Sequence, residues 1–491
     1  MLPAIAKVTH LFILSIAMRP IRLLLCFILC TSYIHAQQSE SDRELLEQLR
    51  QEYKDFRRQR EQEYAKYLQQ TWIDFQLYKG LNRFNQPKPD TIPDALPDQS
   101  IYSDEITSYK ISDTPGNTFI PPIEINSQQQ EKQTYQAIIP FYGTTFPLTH
   151  TPPPSVLNGT GKDKIGHLWK SFGCKETDQL IADIFSFKIK HKLNDWGLFL
   201  LVKEVCNHLP QLSDENVCTL FRHFILFSYG YNVRLGIIDR TIVLLVPFRE
   251  TVYNQPFLYE DKKKYFLFTD KALQSSTIVR TLPLFKDKTE KVLSLEIKEN
   301  MDLGNDSFDI THTYQDTSFN ITINRERTRF FQNIPSTDLT IYTNAVADPI
   351  FEDSLFSFLN QFNDLENVPE TLNDLLHFCQ STFTYKTDEE QFGYEKTFFP
   401  EETFFYPFSD CEDRAVLFAY IVRKTLKLDT ILLKYSNHVV TGVALKGNIP
   451  GTYIQFDKKR YLLCDPSYRK ADIGQCMPDH KNEIPQIVPL Q

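Results

Sequence analysis

The sequence predicts an α+β fold. Helical runs and strand-like runs fall in separate blocks, the order helix then strands occurs twice, and a Thr-rich alternating stretch stands between the two blocks. At 491 residues the protein exceeds one ordinary core and calls for several folded units. A hydrophobic share of 42%, with 13% aromatic residues, supplies material for large cores. The 62 acidic and 53 basic residues are interspersed, the formal charge is -9, and no long basic run occurs, which argues against a nucleic-acid binder.

In sequence order, residues 1–36 read as a signal peptide. Arg19 and Arg22 precede the apolar run 23–29, and Ala36 is a small-residue cleavage position, so the mature protein would begin at Gln37. An earlier apolar stretch, 11–17, lies before Met18. Either Met18 is the start, or the two stretches make a longer anchor interrupted by Arg19. No later run reaches the roughly 18 residues that span a bilayer. The expectation is an exported protein, periplasmic or extracellular, with no stable membrane span after signal cleavage.

Residues 37–82 read as a charged N-terminal helix in which Leu45, Leu49, Tyr53, Phe56, Tyr64, Tyr67, Trp72 and Phe75 recur at mostly three- and four-residue steps, a stripe suited to docking on the protein's own body or, as the alternative, on a partner helix. Residues 83–162, marked by PKPDTIPDALPD and THTPPP, read as an extended Pro/Ser/Thr-rich linker. Residues 163–270 return to globular character, with helical runs near 181–187 and 198–206, then SDENVCTLFRHFILFSYGY and the strand-like VRLGII, TIVLLVPF and KKKYFLF. Residues 271–345 (SLEIKEN, SFDITHTY, SFNITINRER) suggest a small β-rich module. Residues 346–491 read as helices over 351–362, 371–383 and 411–426, followed by strands.

A faint repeat links the two α+β blocks. SDENVCTLFRHFILFSYGYNVRLGII lies against SDCEDRAVLFAYIVRKTLKLDTILL, and YEDKKKYFLFTD against QFDKKRYLLCD, in the same order. In the first copy Glu215 stands where Cys411 would be and TIVLLVPF has no histidine, so a degenerate copy would be a scaffold without chemistry.

Nine cysteines, less Cys26 and Cys30 in the signal, leave seven: Cys174, Cys206, Cys218, Cys379, Cys411, Cys464 and Cys476. The number is odd and the spacings resemble neither a disulfide framework nor a Cys-x-x-Cys zinc site, so at least one thiol is expected to be free.

Cys411 is the cysteine whose setting suggests reactivity. Asp410 is a good N-cap and Asp413 an acidic partner in the first turn, so a helix begins at Cys411 and its dipole favours the thiolate. Asp410 and Glu412 oppose that shift, so a cation is needed nearby. His438 opens the strand-like HVVTGVAL and can form a thiolate–imidazolium pair, and Asp465, at the end of RYLLCD before Pro466, can orient the imidazole.

These elements, in the order SDCEDRAVLFAY, NHVVTGVAL and RYLLCDPSY, resemble the transglutaminase-like core over roughly residues 370–470. The family pattern is a Cys in D-C-x-D-x-A at a helix start, a His opening a strand and an Asp in D-P-[ST]. The resemblance implies a papain-like fold and a Cys-His-Asp triad of Cys411, His438 and Asp465. The implied activity is an exported amide- or peptide-bond hydrolase or acyltransferase working through a thioester, of a bacterial type, on a protein or peptide substrate and without cofactor. HVV replaces the frequent His-Ala-Trp, and Tyr461 stands where Trp is common. The family also contains members without catalysis, so an inactive binding or structural module is the rival reading. Oxyanion-hole or cleft candidates are Tyr406, Gln391 and Tyr394, beside the backbone N–H of Cys411. Cys464 and Cys379 read as core residues, and His223, His377 and His480 lack any motif. No metal-ligand motif or glycine-rich phosphate loop appears.

Overall fold

The stretch read as a linker contains a strand pair. AIIPF and TTFPL alternate about Tyr142-Gly143, both at positive φ (41° and 70°), the geometry of a two-residue hairpin turn. The computed structural model describes residues 105–106, 137–260, 263–269, 278–282, 291–362 and 364–490. The stretches read as a signal peptide, as a charged helix (37–82) and, apart from 105–106, as a linker up to 136 lie outside the described residues. The hairpin strands follow the short β1 (Glu105–Ile106) and are β2 (Ala137–Phe141) and β3 (Thr144–Leu148). Ile139, Phe141, Phe146 and Leu148 are buried in the main core, so this part of the stretch is packed on the protein.

Next come α1 (Lys162–Ser171), α2 (Lys175–Lys190), α3 (Asp195–Asn207) and α4 (Glu215–Ser228). The starts of α3 and α4 are set by Asn194 and Asp214, whose side chains accept from Gly197 N and Val217 N at 2.8 and 3.0 Å. Strands β4 (Arg234–Ile238), β5 (Thr241–Val246), β6 (Phe257–Glu260), β7 (Lys263–Phe268) and β8 (Arg280–Leu282) form an antiparallel sheet ordered β6-β7-β5-β4-β8.

The described residues of 271–345 include a separate two-stranded antiparallel sheet. The stretch gives β8 to the first sheet, one hairpin of β9 (Ser307–Tyr314) and β10 (Thr317–Asn324), and the short helices α5 (Arg325–Phe331) and α6 (Leu339–Asn344). The alternating segments there were legible, but Asn324 caps α5 by accepting from Arg327 N at 3.1 Å and turns the backbone into helix.

The remainder runs α7 (Pro349–Leu359), α8 (Val368–Thr382), β11 (Thr384–Tyr385), α9 (Asp388–Phe392), α10 (Pro400–Phe405), β12 (Phe408–Ser409) and α11 (Cys411–Thr425). It ends with β13 (Thr430–Lys434), β14 (Val439–Val443), β15 (Tyr453–Phe456), β16 (Lys459–Cys464) and β17 (Gln486–Pro489). The sheet order is β1-β15-β16-β14-β13-β17. This α+β arrangement repeats the first half element for element: a helix, then four antiparallel strands in one spatial order, then an edge strand beside the first of them.

Registers match as well as order. Leu245 pairs with Arg234 and Leu267, as Gly442 pairs with Ile431 and Leu463. Both first hairpins turn through two residues, Asp239-Arg240 and Ser436-Asn437.

The described residues belong to one compact unit, in which α11 is buried over Cys411–Val422. Ala415, Val416 and Ala419 join the core built mainly by the first half, whereas Leu417, Phe418, Ile421 and Val422 join a second core with α7, α8 and the β9–β10 hairpin. A helix apolar on both faces is one that has neighbours on both faces.

Candidate active site

The first turn of α11 is fixed by its own acids. Asp410 and Asp413 form a capping box in which Asp413 Oδ2 accepts from Asp410 N at 3.2 Å, while Asp413 Oδ1 accepts from Phe398 N at 2.9 Å. Arg414, one residue on, is buried and donates to Ser409 Oγ (3.1 Å), Gln380 O (3.3 Å) and Phe383 O (2.7 Å). The helix start is thereby tied to the C-terminal end of α8.

The aspartate is fixed from the same direction. Gln380 Nε2 donates to Asp465 O at 3.0 Å and to Ala471 O at 2.9 Å. Asp465 Oδ1 accepts from Ser467 N and Tyr468 N, both at 3.0 Å, which leaves Oδ2 for His438 Nε2 at 2.9 Å. The loop beyond depends on two glycines: Gly451 (φ 152°) and Gly474 (φ 86°) meet so closely that a Cβ on Gly451 would lie 2.5 Å from Gly474 Cα.

With Nε2 committed to Asp465, the other ring nitrogen of His438, Nδ1, is buried and has no hydrogen-bond partner. Two observations place Cys411 at this end of β14. Thr441, three residues along the strand, donates to Ala415 O, one turn below Cys411 in the helix, at 3.2 Å. Lys434, paired with Val439 across the β13–β14 ladder, lies in the field of Cys411 and Glu412. Burial pulls the Lys434 ammonium below its ordinary value, while Glu412, Glu395, Asp338 and Cys411 act in the opposite sense. Lys434 is thus an amine in the electrostatic surroundings of Cys411 and Glu412.

The thiol itself is turned elsewhere. Cys411 Sγ donates to Glu412 Oε2 at 3.3 Å. Cys411 and His438 are 0% exposed and Asp465 is 1% exposed, so no solvent-open cleft reaches them. The segment that follows Asp465 covers His438. His480 stacks on His438 with ring centroids 5.4 Å apart and planes within 10°, and on Tyr435 at 4.9 Å. Its Nδ1 meets Glu483 Oε2 at 3.0 Å, Glu483 Oε1 accepts from Ser436 N at 2.5 Å, and β17 then pairs with β13. Cavities of about 300 and 230 Å³ do open on the protein, but against residues between Lys188 and Met301.

The three oxyanion candidates part company. The Tyr406 ring stacks on Phe398 at 4.8 Å and its hydroxyl accepts from Gln332 Nε2 at 3.0 Å, a packing role. Tyr394 is 41% exposed, with its ring against Phe392. Gln391 sits on α9 with its Oε1 buried and without a partner. The Asp388 carboxylate on that helix lies within 4.8 Å of those of Asp410 and Asp413, and likewise of Glu395 and Glu412. These buried carboxylates, with Cys411, are the groups of the described residues near this end of α11 that could hold a cation. Asp413 has both oxygens engaged by backbone N–H groups and Asp388 Oδ2 accepts from Lys396 N at 2.7 Å, so a cation would share occupied lone pairs.

Lys434, Gln380 and His480 were not legible as site residues. A lysine closing an apolar strand, a glutamine in an amphipathic helix and a histidine without a motif carry no local signal. Cys379 and Cys464 are core residues, His223 is a core residue that accepts from Trp169 Nε1 at 3.0 Å, and His377 faces Asp472 at 3.1 Å.

Strand registers also identify what the first half places at the corresponding positions. Glu215, following the cap Asp214, corresponds to Cys411. Thr241, paired with Ile238 as His438 is with Tyr435, corresponds to His438. Thr269, directly after Phe268, corresponds to Asp465 after Cys464. No protein-family model matches this sequence, and neither a curated protein nor a solved structure matches it.

Proposed function

We propose that the protein is an exported thiol-dependent amide- or peptide-bond hydrolase or acyltransferase, built on a transglutaminase-like, papain-type core in residues 346–491, with residues 163–270 as a non-catalytic copy. The observation that carries this reading is the His438–Asp465 bond at 2.9 Å, which leaves Nδ1 buried and without a hydrogen-bond partner. The ordered motifs around Cys411, His438 and Asp465 support it independently.

In this reading Nδ1 of His438 takes the Cys411 proton, and Sγ attacks the carbonyl carbon of a protein or peptide amide. The Cys411 N–H and Gln391 hold the oxyanion, the resulting imidazolium donates its proton to the departing amine, and a thioester remains. Water resolves the thioester in hydrolysis, and a second amine resolves it in transfer. Asp465 keeps the imidazole in one orientation throughout, and no cofactor takes part.

A second reading, an inactive binding or structural module, is favoured by the thiol–Glu412 bond and by the complete burial of Cys411. The test is amide hydrolysis and amine incorporation on a peptide library by the purified protein and by Cys411→Ala, with iodoacetamide labelling at mildly acidic pH. Turnover lost in Cys411→Ala, together with selective labelling of Cys411, supports the enzyme. Equal turnover in both proteins ends the triad assignment.

A further inference from the structure

A strap of residues 478–490 lies on His438 at one end and is anchored in the sheet at the other. Its short helical turn, Pro478–His480, lays the His480 ring parallel to that of His438, with centroids 5.4 Å apart, and against Tyr435 at 4.9 Å. His480 thus closes one face of the imidazole that the proposed mechanism needs for proton transfer. Glu483 ties the strap to the β13–β14 turn, accepting from Ser436 N at 2.5 Å and meeting His480 Nδ1 at 3.0 Å. β17 then runs antiparallel to β13 at the edge of the sheet, with Gln486 opposite Lys434 and Val488 opposite Leu432. Val488 and Leu490 pack on the main core, and Ile487 packs on the cluster that holds Ile431, Leu433 and Tyr435. All three are only half-buried, so the anchor is a light one.

The connection between the blocking turn and the anchoring strand is open to solvent. Lys481 and Asn482 are exposed, and Ile484 is 63% exposed. Exposed connections of this kind are where a protease cuts a folded chain.

We propose that the Lys481–Asn482 bond is a processing site, and that its hydrolysis releases the strap and unblocks the site around His438. The proposal rests on the reading of His438 as the catalytic imidazole. The agent is an endoprotease that cleaves after a basic residue, and the co-reactant is water. The C–N bond breaks, the hydroxyl goes to the Lys481 carbonyl carbon and the hydrogen to the Asn482 nitrogen. After the cut, the fragment from Asn482 onward is held by a four-residue ladder and by the bonds of Glu483. Staying bound then costs the translational and rotational freedom that chain connectivity had already removed. Its departure takes Glu483 from both His480 and Ser436 and leaves His480 with its ring contacts alone.

The test is brief trypsin treatment of the folded full-length protein and of Lys481→Gln, followed by diethylpyrocarbonate and mass mapping of the modified histidines. The fragment beginning at Asn482 should leave the wild-type protein only, and there His438 modification should accelerate by at least about tenfold. His223, 0% exposed in the core, should keep its rate. Val488→Asp, which places a charge against the core, should speed His438 modification without any cut. Peptide-amide turnover is measured on the same samples, and a rise that accompanies release supports inhibition by the strap. Exposure of His438 with no turnover in any sample ends the acyl-transfer reading and leaves the strap as the cover of His438. A fragment that leaves while His438 modification stays within about twofold of the uncut protein overturns the proposal. So does a Lys481–Asn482 bond that survives digestion, and so does measurable turnover that is equal before and after release.

Discussion

If the segment after Asp465 is what bars access to Cys411, then weakening its hold should expose that thiol without unfolding the protein. His480→Ala is the cleanest perturbation, because His480 is buried and its imidazole contacts both His438 and Tyr435. Each ring contact contributes about 0.5–1.5 kcal/mol beyond burial. The partly exposed His480–Glu483 pair adds at most about 1 kcal/mol. Their loss comes to about 2–3 kcal/mol, and at 1.4 kcal/mol per decade the open fraction should rise roughly 30- to 100-fold. When opening is fast relative to alkylation, the rate constant follows that fraction. Iodoacetamide labelling of Cys411, read from its tryptic peptide, should therefore accelerate by roughly 30- to 100-fold. Cys379 and Cys464, both 0% exposed, serve as internal reporters of global unfolding and should keep their wild-type rates. A Cys411 rate within about twofold of wild type in a folded His480→Ala protein would refute the reasoning. Equal acceleration at all three cysteines would refute it too.

Further outcomes test the remaining parts of the site. Glu412→Gln removes the carboxylate that receives the Cys411 proton, which lowers the thiol and should raise Cys411 labelling at pH 6 by about three- to tenfold. On the proposed mechanism, Asp465→Asn should reduce kcat by about 10⁴-fold while leaving the fold intact, because an amide in that place no longer holds the imidazole in the tautomer the mechanism needs. Gln380→Ala leaves the Asp465 and Ala471 carbonyls without their donor, and should cost about 1–3 kcal/mol in urea unfolding. His223 tests pH dependence. Burial first of all holds its ring down to about 3 from an ordinary value of 6.5, so the unfolded state binds the proton more tightly. Stability from this group is therefore complete above pH 6.5 and falls as pH drops toward 3, by up to about 1.4 kcal/mol per unit. The difference in urea midpoint between wild type and His223→Phe should narrow on acidification, and a constant difference from pH 7 to 4 would count against the buried neutral imidazole.

What could be read in advance followed from local chemistry. The start of α11 was legible because Asp410 and Asp413 cap it within four residues, and the edges of β14 and β16 because apolar runs end at a turn or at Pro466. The hairpin in the proline-rich stretch was missed because Pro140 and Pro147 argue against strands, although on a two-stranded ribbon their missing N–H groups face outward at no cost to the ladder. Part of the stretch read as a β-rich module pairs outside it. β8 finds its partner in β4, some forty residues earlier, and no periodicity in 271–345 records that pairing. Lys434, Gln380 and His480 share this property, since each acts across a distance in sequence that only the closed sheet removes.

The repeated architecture sharpens what a functional claim here can rest on. Both halves present a capped helix against a sheet of the same strand order, with first hairpins turning through two residues, so the backbone alone does not distinguish them. At the three corresponding positions one half carries Cys411, His438 and Asp465 and the other Glu215, Thr241 and Thr269, residues that cannot supply a thiolate or an imidazole. Fold-level likeness thus carries no chemistry by itself. What separates the halves is a small set of polar attachments found in the second: Gln380 on the Asp465 loop, Arg414 beneath the helix start, and Asp465 bridging two backbone N–H groups to one imidazole nitrogen. Buried polar groups cost stability unless each is satisfied, and a structural module would gain more from apolar side chains in the same volume. The presence of this network around an otherwise apolar helix, satisfied except at His438 Nδ1, is the physical support for the proposal that places chemistry at Cys411.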